Sequence, residues 1–163
     1  MSFLAVTPSS ISTAPPVSAS IVENDGFYPD INLPQMRDAM RLDGTVTDPR
    51  LSQAVVAAVI HVNNALRDWK LAKIAAGYAS MASVPADRIN RESVLLAHYK
   101  RAVYSTAKAD LIERYRDYDS TASSVSDKKS MEWLDSAPVD QRRNAHWAIA
   151  DIVGRGHLTV ELI

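Results

Sequence analysis

The sequence predicts an all-α protein, a small bundle of about four helices with an extended N-terminal arm and a β-type tail at the C-terminus. Three observations favour this class. Apolar residues recur at helical spacing in long stretches between residues 33 and 153. Residues 2–20 are mostly Ser, Thr, Pro and Ala, a composition that does not build a core. Residues 157–163 alternate polar and apolar side chains, as a strand does.

These patterns divide the chain into a flexible or extended arm (1–24), a helical domain (25–154) and an extended tail (155–163). The chain has 163 residues with 47% hydrophobic and 23% charged content, which is typical of one soluble domain. It has no cysteine, which excludes disulfides and thiolate chemistry and fits a reducing cytosol. The first basic residue is Arg37 and no long apolar run occurs, so we expect no targeting peptide and no membrane span.

The arm and the first helix follow from local signals. The arm is predicted either to be a disordered leader or to order against a neighbour. Tyr28-Pro29-Asp30 favours an extended or turn conformation, and Asn32 is a candidate N-cap. A short helix is predicted from there to about Leu42, ended by Asp43-Gly44.

The second helix, from about Pro49 to Ala76 with Gly77 as its cap, has two apolar faces. The first is a core stripe, and the second lies roughly opposite to it. Either the helix is sandwiched inside its own domain, or one face serves the core and the other an adjacent subunit. The core stripe is Leu51, Val55, Ala58, Val59, Val62, Leu66 and Trp69, and the second stripe is Val56, Ile60, Leu71 and Ile74.

Two further helices complete the predicted bundle. The third opens at residues 90–93, runs to about Tyr115 or Tyr118 and is apolar nearly all round, which predicts a central position. The fourth spans about 127–153, ends at Gly154, and contains Pro138, which predicts a kink or a restart near Ser136. Off its apolar stripe lie Trp133 and Trp147, whose rings suit packing against another helix or chain.

The tail has no evident mate in its own chain. An unpaired strand leaves backbone groups without hydrogen bonds, so the tail is predicted either to lie loose or to add to another chain. The candidate residues for such strand addition are Leu158, Val160, Leu162 and Ile163.

Charge is balanced overall but uneven along the chain. There are 18 basic and 19 acidic residues, which argues against a DNA-coating role. Residues 64–116 carry an excess of basic groups, while both flanking regions carry an excess of acidic groups. The uneven charge either steers docking between subunits or reflects ordinary solvated helix faces.

No pattern of catalytic, cofactor-binding or metal-ligating residues emerges, so the protein is predicted not to be an enzyme and to need no cofactor. The four histidines include no pair at helical metal-binding spacing, and the five glycines form no phosphate or dinucleotide loop. Asp110 and Glu113 share a helix face and could in principle act together with His98, but nothing in the sequence specifies that arrangement. Surface carboxylates on a helix are the default explanation.

Three segments carry a resemblance to a known family. They are DGFYPDINLPQMRDAMRLDGTVTDPRL (25–51), HYKRAVYSTAKADLIERYRDYDST (98–121) and RRNAHWAIADIVGRGHLTVELI (142–163). They resemble the head completion or head stabilisation proteins of contractile-tailed temperate phages. The strongest signature is the LDGTVT turn before an Arg-Leu helix start, together with VELI, and the match extends over 21–163.

The resemblance implies a structural virion protein, a head-tail connector adaptor that assembles in the host cytoplasm. It would ring the portal, close the DNA-filled head and provide the tail attachment surface. The implied partners are the portal protein, neighbouring copies in a dodecameric ring, and a tail-side connector or tail terminator protein. DNA would pass through the lumen without sequence-specific binding, and no membrane is involved.

A closed ring needs two different complementary faces on each subunit. We expect the second stripe of the second helix on one face, and Trp133 or Trp147 on the other. The alternative from a different class is a small helical DNA-packaging or DNA-binding regulatory subunit, which would contact DNA through the positive third helix.

Overall fold

The computed structural model describes residues 20–42, 44–119 and 138–157, without the side chains of 116–119. Within these ranges the protein is mostly helical, as predicted. The prediction of an all-α bundle of about four helices is wrong, because the described residues form five α-helices and two small antiparallel sheets. The helices are α1 (Leu33–Met40), α2 (Asp48–Ala65), α3 (Arg67–Ala75), α4 (Val94–Asp119) and α5 (Pro138–Val153). Strand β1 (Ile21–Val22) pairs antiparallel with β2 (Ile31–Asn32), and β3 (Arg88–Ile89) with β4 (Glu92–Ser93).

Helix α1 begins where the sequence predicts and ends earlier. The backbone N–H of Gln35 donates to Asn32 Oδ1 at 2.9 Å, which is the expected N-cap. The helix ends at Met40 and not near Gly44, because Arg41 adopts the left-handed conformation, at φ 52°. The buried Lys108 ammonium of α4 donates to the Met40 carbonyl at 3.1 Å and so satisfies a group at this helix end.

The predicted second helix is divided into α2 and α3 by a break at Leu66, at φ −98° and ψ 9°. The apolar rhythm does not reveal this break, because Leu66 stays fully buried and its N–H still donates to Val62. The predicted cap is confirmed. Gly77 lies at φ 92°, and the next N–H, of Tyr78, donates to the Lys73 carbonyl at 3.1 Å.

Residues 88–93 form a β-hairpin and not the start of a helix. Its two-residue loop is Asn90-Arg91, both at positive φ, which is the geometry of a type I′ turn. The Arg88 guanidinium donates to the Arg91 carbonyl at 2.8 Å and braces the loop. Strands of two residues are too short to show alternation in a sequence, so neither strand pair was predicted.

Helix α4 is central, as its apolar circumference predicts, because it packs against both α2 and α5. Its Tyr99, Val103 and Ile112 are completely buried. Helix α5 is also held to α4 by an ion pair: Arg142 Nε donates to Glu113 Oε1 at 3.1 Å, and its Nη2 approaches Asp110 Oδ1 at 3.2 Å. The two carboxylates considered for acid–base chemistry thus hold two helices together.

Three predicted features meet the limits of the described residues. Residues 20–24 of the predicted arm lie on the helical body through β1, whereas 1–19 fall outside the described ranges. Helix α5 begins at Pro138, a residue type suited to the first turn, and the region 127–137 with Ser136 and Trp133 is also outside them. The same holds for the tail residues 158–163.

Candidate functional site

A closed set of hydrogen bonds fixes the segment between β1 and β2 against the bundle. Asn24 Nδ2 donates to Tyr99 Oη at 2.8 Å, and Tyr99 Oη donates to Asn63 Oδ1 at 2.6 Å. Asn63 Nδ2 completes the triangle by donating to Asn24 Oδ1 at 2.9 Å. The three side chains come from the segment after β1, from α2 and from α4. We call them the asparagine–tyrosine triangle; it couples three distant parts of the chain.

Aromatic and charged contacts reinforce this attachment. The Tyr28 ring stacks on Tyr99, with centroids 4.8 Å apart, and its hydroxyl donates to the Leu66 carbonyl at 3.1 Å. Asp25 accepts from the backbone N–H of Tyr28 at 3.2 Å and from Lys70 Nζ at 2.6 Å. Burial acts to raise the pKa of Asp25, but the Lys70 and backbone hydrogen bonds outweigh it and lower that pKa. The segment is therefore attached to the helical body at several points.

Alkaline pH should loosen this attachment. Burial raises the pKa of both Tyr28 and Tyr99 well above the usual value of 10.0 for tyrosine, since water is excluded from the ionised form. A raised pKa in the folded state means that the stability is present below pH 10 and is lost as pH rises further. We expect the free energy of unfolding to fall above about pH 10, by up to about 1.4 kcal/mol per pH unit per tyrosine.

Urea unfolding between pH 8 and 11 measures this slope. Tyr28→Phe removes one of the two ionisable groups and should make the fall shallower. A slope that is equal in Tyr28→Phe and in the unchanged protein would contradict the assignment to this residue.

The second apolar stripe lies at the surface. Val56 and Ile60 of α2 are 43% and 57% exposed, and Leu71 and Ile74 of α3 are 59% and 47% exposed. Helix α2 is therefore not sandwiched inside its own domain, because its Leu51–Val62 face alone enters the core. We call these four residues the apolar stripe. That the apolar stripe is an interface stays a prediction. Its exposure is a property that an interface needs.

The apolar stripe has a polar interruption at the α2–α3 junction. There Arg67 Nη2 donates to Asn64 Oδ1 at 2.8 Å, and both residues are exposed. Three other large apolar side chains are exposed among the described residues, but each stands on a different element. They are Ile21, Ile89 and Val139.

The predicted second face is only partly described. Trp133 lies outside the described residues. The Trp147 ring is half-buried, with the His157 ring stacked on it at 5.1 Å and the Arg143 guanidinium 5.3 Å from its centroid. Because groups of its own chain contact this ring, the geometry gives Trp147 less support as a docking side chain than the apolar stripe has.

Two of the four histidines, His98 and His157, contact the same carboxylate where the tail begins. Asp151 Oδ1 lies 2.8 Å from His157 Nε2, and its Oδ2 lies 3.4 Å from His98 Nδ1. His98 thus pairs with Asp151 of α5 and not with Asp110 or Glu113. The contact holds His157 against α5.

The described parts of the chain contain no cluster of three or more His, Cys, Asp or Glu side chains that could hold a metal ion. Within the same ranges, no helix is both long and apolar enough to cross a membrane. The asparagine–tyrosine triangle escaped sequence analysis because its members are up to 75 residues apart. The only local signal was Asn63, a polar residue next to the core residue Val62.

Comparison with known proteins identifies the family. The family model described as phage head completion protein (GPL) matches residues 22–163. The head completion/stabilization protein of Escherichia phage P2 is 39% identical over 143 residues, which cover 88% of this chain and 83% of that protein. No solved structure matches the chain. The family is a structural one of the phage head, and this chain belongs to the phage head completion proteins.

Proposed function

We propose that this head completion protein is the adaptor between head and tail, a virion protein that rings the portal, closes the DNA-filled head and presents the surface for tail attachment. The observation that carries the proposal is the exposed apolar stripe on α2 and α3. Large exposed apolar side chains that are grouped on neighbouring elements mark sites of protein–protein contact. A subunit of a ring needs such a contact with each neighbour.

The proposed partners are the portal protein, neighbouring copies in a dodecameric ring, and a tail-side connector or tail terminator protein. The apolar stripe would contact a neighbouring copy, and the tail would add as a strand to a partner. DNA would pass through the lumen of the ring without sequence-specific contacts.

The charges of α4 give little support to the DNA-binding alternative. Lys100 donates to Glu92 at 2.5 Å, and Arg101 contacts Asn144 at 3.3 Å. Lys108 is buried against the Met40 carbonyl, and burial lowers its pKa. Among the cationic side chains described on α4, only Arg114 has no such partner within the described residues. Three of the four cationic side chains described on this helix thus contact groups of their own chain.

An in-vitro completion assay tests the proposal. DNA-filled heads made without this protein should lose their DNA to nuclease and join no tails. Purified protein should restore nuclease resistance and tail joining. Duplex DNA alone should bind weakly, without the steep salt dependence of phosphate-neutralising proteins. Heads that are equally stable without the protein, or tight and salt-sensitive binding to DNA, would refute the adaptor function.

Removal of residues 158–163 tests the tail separately. We expect the shortened protein to keep its helical circular dichroism, because helices α1–α5 lie between Leu33 and Val153 and pack through a buried cluster of residues 27–152. Restoration of tail joining or of stable filled heads should be lost, since the alternating segment is the proposed strand for a partner. Full activity of the shortened protein in the completion assay would exclude that role.

A further inference from the structure

A groove lies between the α2–α3 junction and α5, on residues that the proposed function does not use. Its volume is about 310 Å³, at the lower end of the range for ligand-binding sites. Apolar side chains from both sides line much of it. They are Ala65, Trp69, Ile149 and Val153.

The groove also carries three polar side chains that are unengaged. Within the described residues, Asp68, His146 and Arg155 line it without a side-chain hydrogen bond or ion pair. By contrast, the nearby Arg142 and Arg143 are both in ion pairs. A groove with an apolar floor and free charges suits an extended peptide that alternates apolar and polar side chains.

The described end of this chain, His157, lies outside the groove. Arg155 borders the groove, but two residues later His157 is stacked on Trp147 and bonded to Asp151, neither of which lines it. Residues 158–163 contain no Gly, Pro, Asn or Asp, the residues that most often form turns. The sequence of the tail thus gives no turn signal, and the described chain ends at His157, outside its own groove.

We infer that the groove binds residues 158–163 of a neighbouring copy of this chain. Leu158, Val160 and Leu162 would pack on the apolar floor, and Glu161 would pair with Arg155. In a second copy the groove would take the place of the strand edge named above as the tail's binding site, because each described strand has only two residues. The inference rests on the proposed function to the extent that copies must meet, and it names the site where one copy receives the tail of another.

Peptide binding tests the groove directly. The probe is a fluorescent synthetic peptide of residues 158–163, added to protein that is shortened after His157 and followed by anisotropy. We expect saturable binding that Arg155→Glu weakens by at least about tenfold, as expected when an attraction becomes a repulsion. A peptide with Glu161→Arg should regain most of that loss on the Arg155→Glu protein. Arg114→Glu, an exposed change outside the groove, is the matched control and should alter the affinity less than about twofold.

Absence of binding, or equal binding to the Arg155→Glu and control proteins, overturns the inference. Disulfide cross-linking of introduced cysteines then decides which chain supplies the segment. The sequence has no cysteine of its own that would interfere. Ala65→Cys and Val160→Cys proteins, mixed and oxidised, should form a linked dimer. A disulfide that forms only within a doubly substituted single chain would place the tail in its own groove and overturn the neighbour.

The same assays separate this inference from the proposed function. Ile60→Asp changes the apolar stripe and leaves the groove residues unchanged, so its affinity for the peptide should be that of the unchanged protein. If heads prove stable without this protein while the peptide still binds through Arg155, the adaptor function fails and the groove stands. If completion requires the protein but the peptide does not bind, the groove fails alone.

Discussion

Tyr99→Ala should lower the free energy of unfolding by about 3–5 kcal/mol, the range for removing a large buried aromatic side chain. Tyr99 is completely buried. Its loss would leave a cavity beneath the stacked Tyr28 ring and remove one hydrogen-bond partner each from Asn24 and Asn63. Because Tyr99 holds the segment after β1 through both Asn24 and Tyr28, this segment should become accessible to protease before the bundle unfolds.

Two variants separate the causes of this loss. Tyr99→Phe keeps the ring and removes only the hydroxyl, so we expect a smaller loss of about 1–3 kcal/mol from the unsatisfied amides. Tyr78→Phe removes a hydroxyl outside the asparagine–tyrosine triangle and should be nearly neutral. Urea unfolding followed by circular dichroism measures all three. If Tyr99→Phe were as stable as the unchanged protein, the triangle would contribute nothing.

The helical part of the fold could be predicted because its signals are local. Helix periodicity identified the core face of α2, and glycine identified the ends at Gly77 and Gly154. At the second end Gly154 lies at φ 76°, and the Arg155 N–H donates to the Ala150 carbonyl at 2.9 Å. The break at Leu66 could not be predicted, because Leu66 is buried and keeps the apolar spacing of an unbroken helix.

The remaining features depend on contacts that no local pattern encodes. The loop of the β3–β4 hairpin is Asn-Arg, in which only the first residue is a usual choice for positive φ. The attachment of Asn24 to Tyr99 joins residues of different elements. The sequence left two alternatives for the apolar stripe, because a helix with two apolar faces either is enclosed by its own domain or leaves one face exposed. Which molecule covers that face is a property of the assembly and not of one chain's periodicity.

The double variant Ile60→Asp and Leu71→Asp should abolish assembly onto the head while leaving the fold intact. Both side chains are more than half exposed, so the charges cost little in the isolated protein. At an interface, each lost aliphatic side chain removes about 1.5–3 kcal/mol of burial, and a desolvated carboxylate adds to that loss. A loss of at least about 3 kcal/mol corresponds to association more than a hundredfold weaker. Sedimentation with DNA-filled heads and the completion assay measure the effect.

The matched control is Val139→Asp, which places a carboxylate on a more accessible position of α5, where the valine is 71% exposed. It should sediment with heads as the unchanged protein does, because Val139 lies on a different element from the apolar stripe. Unchanged unfolding curves for both variants would show that the loss arises at the interface. If the double variant completed heads normally, the apolar stripe would face solvent in the virion, and the contact between neighbouring copies would have to use another surface.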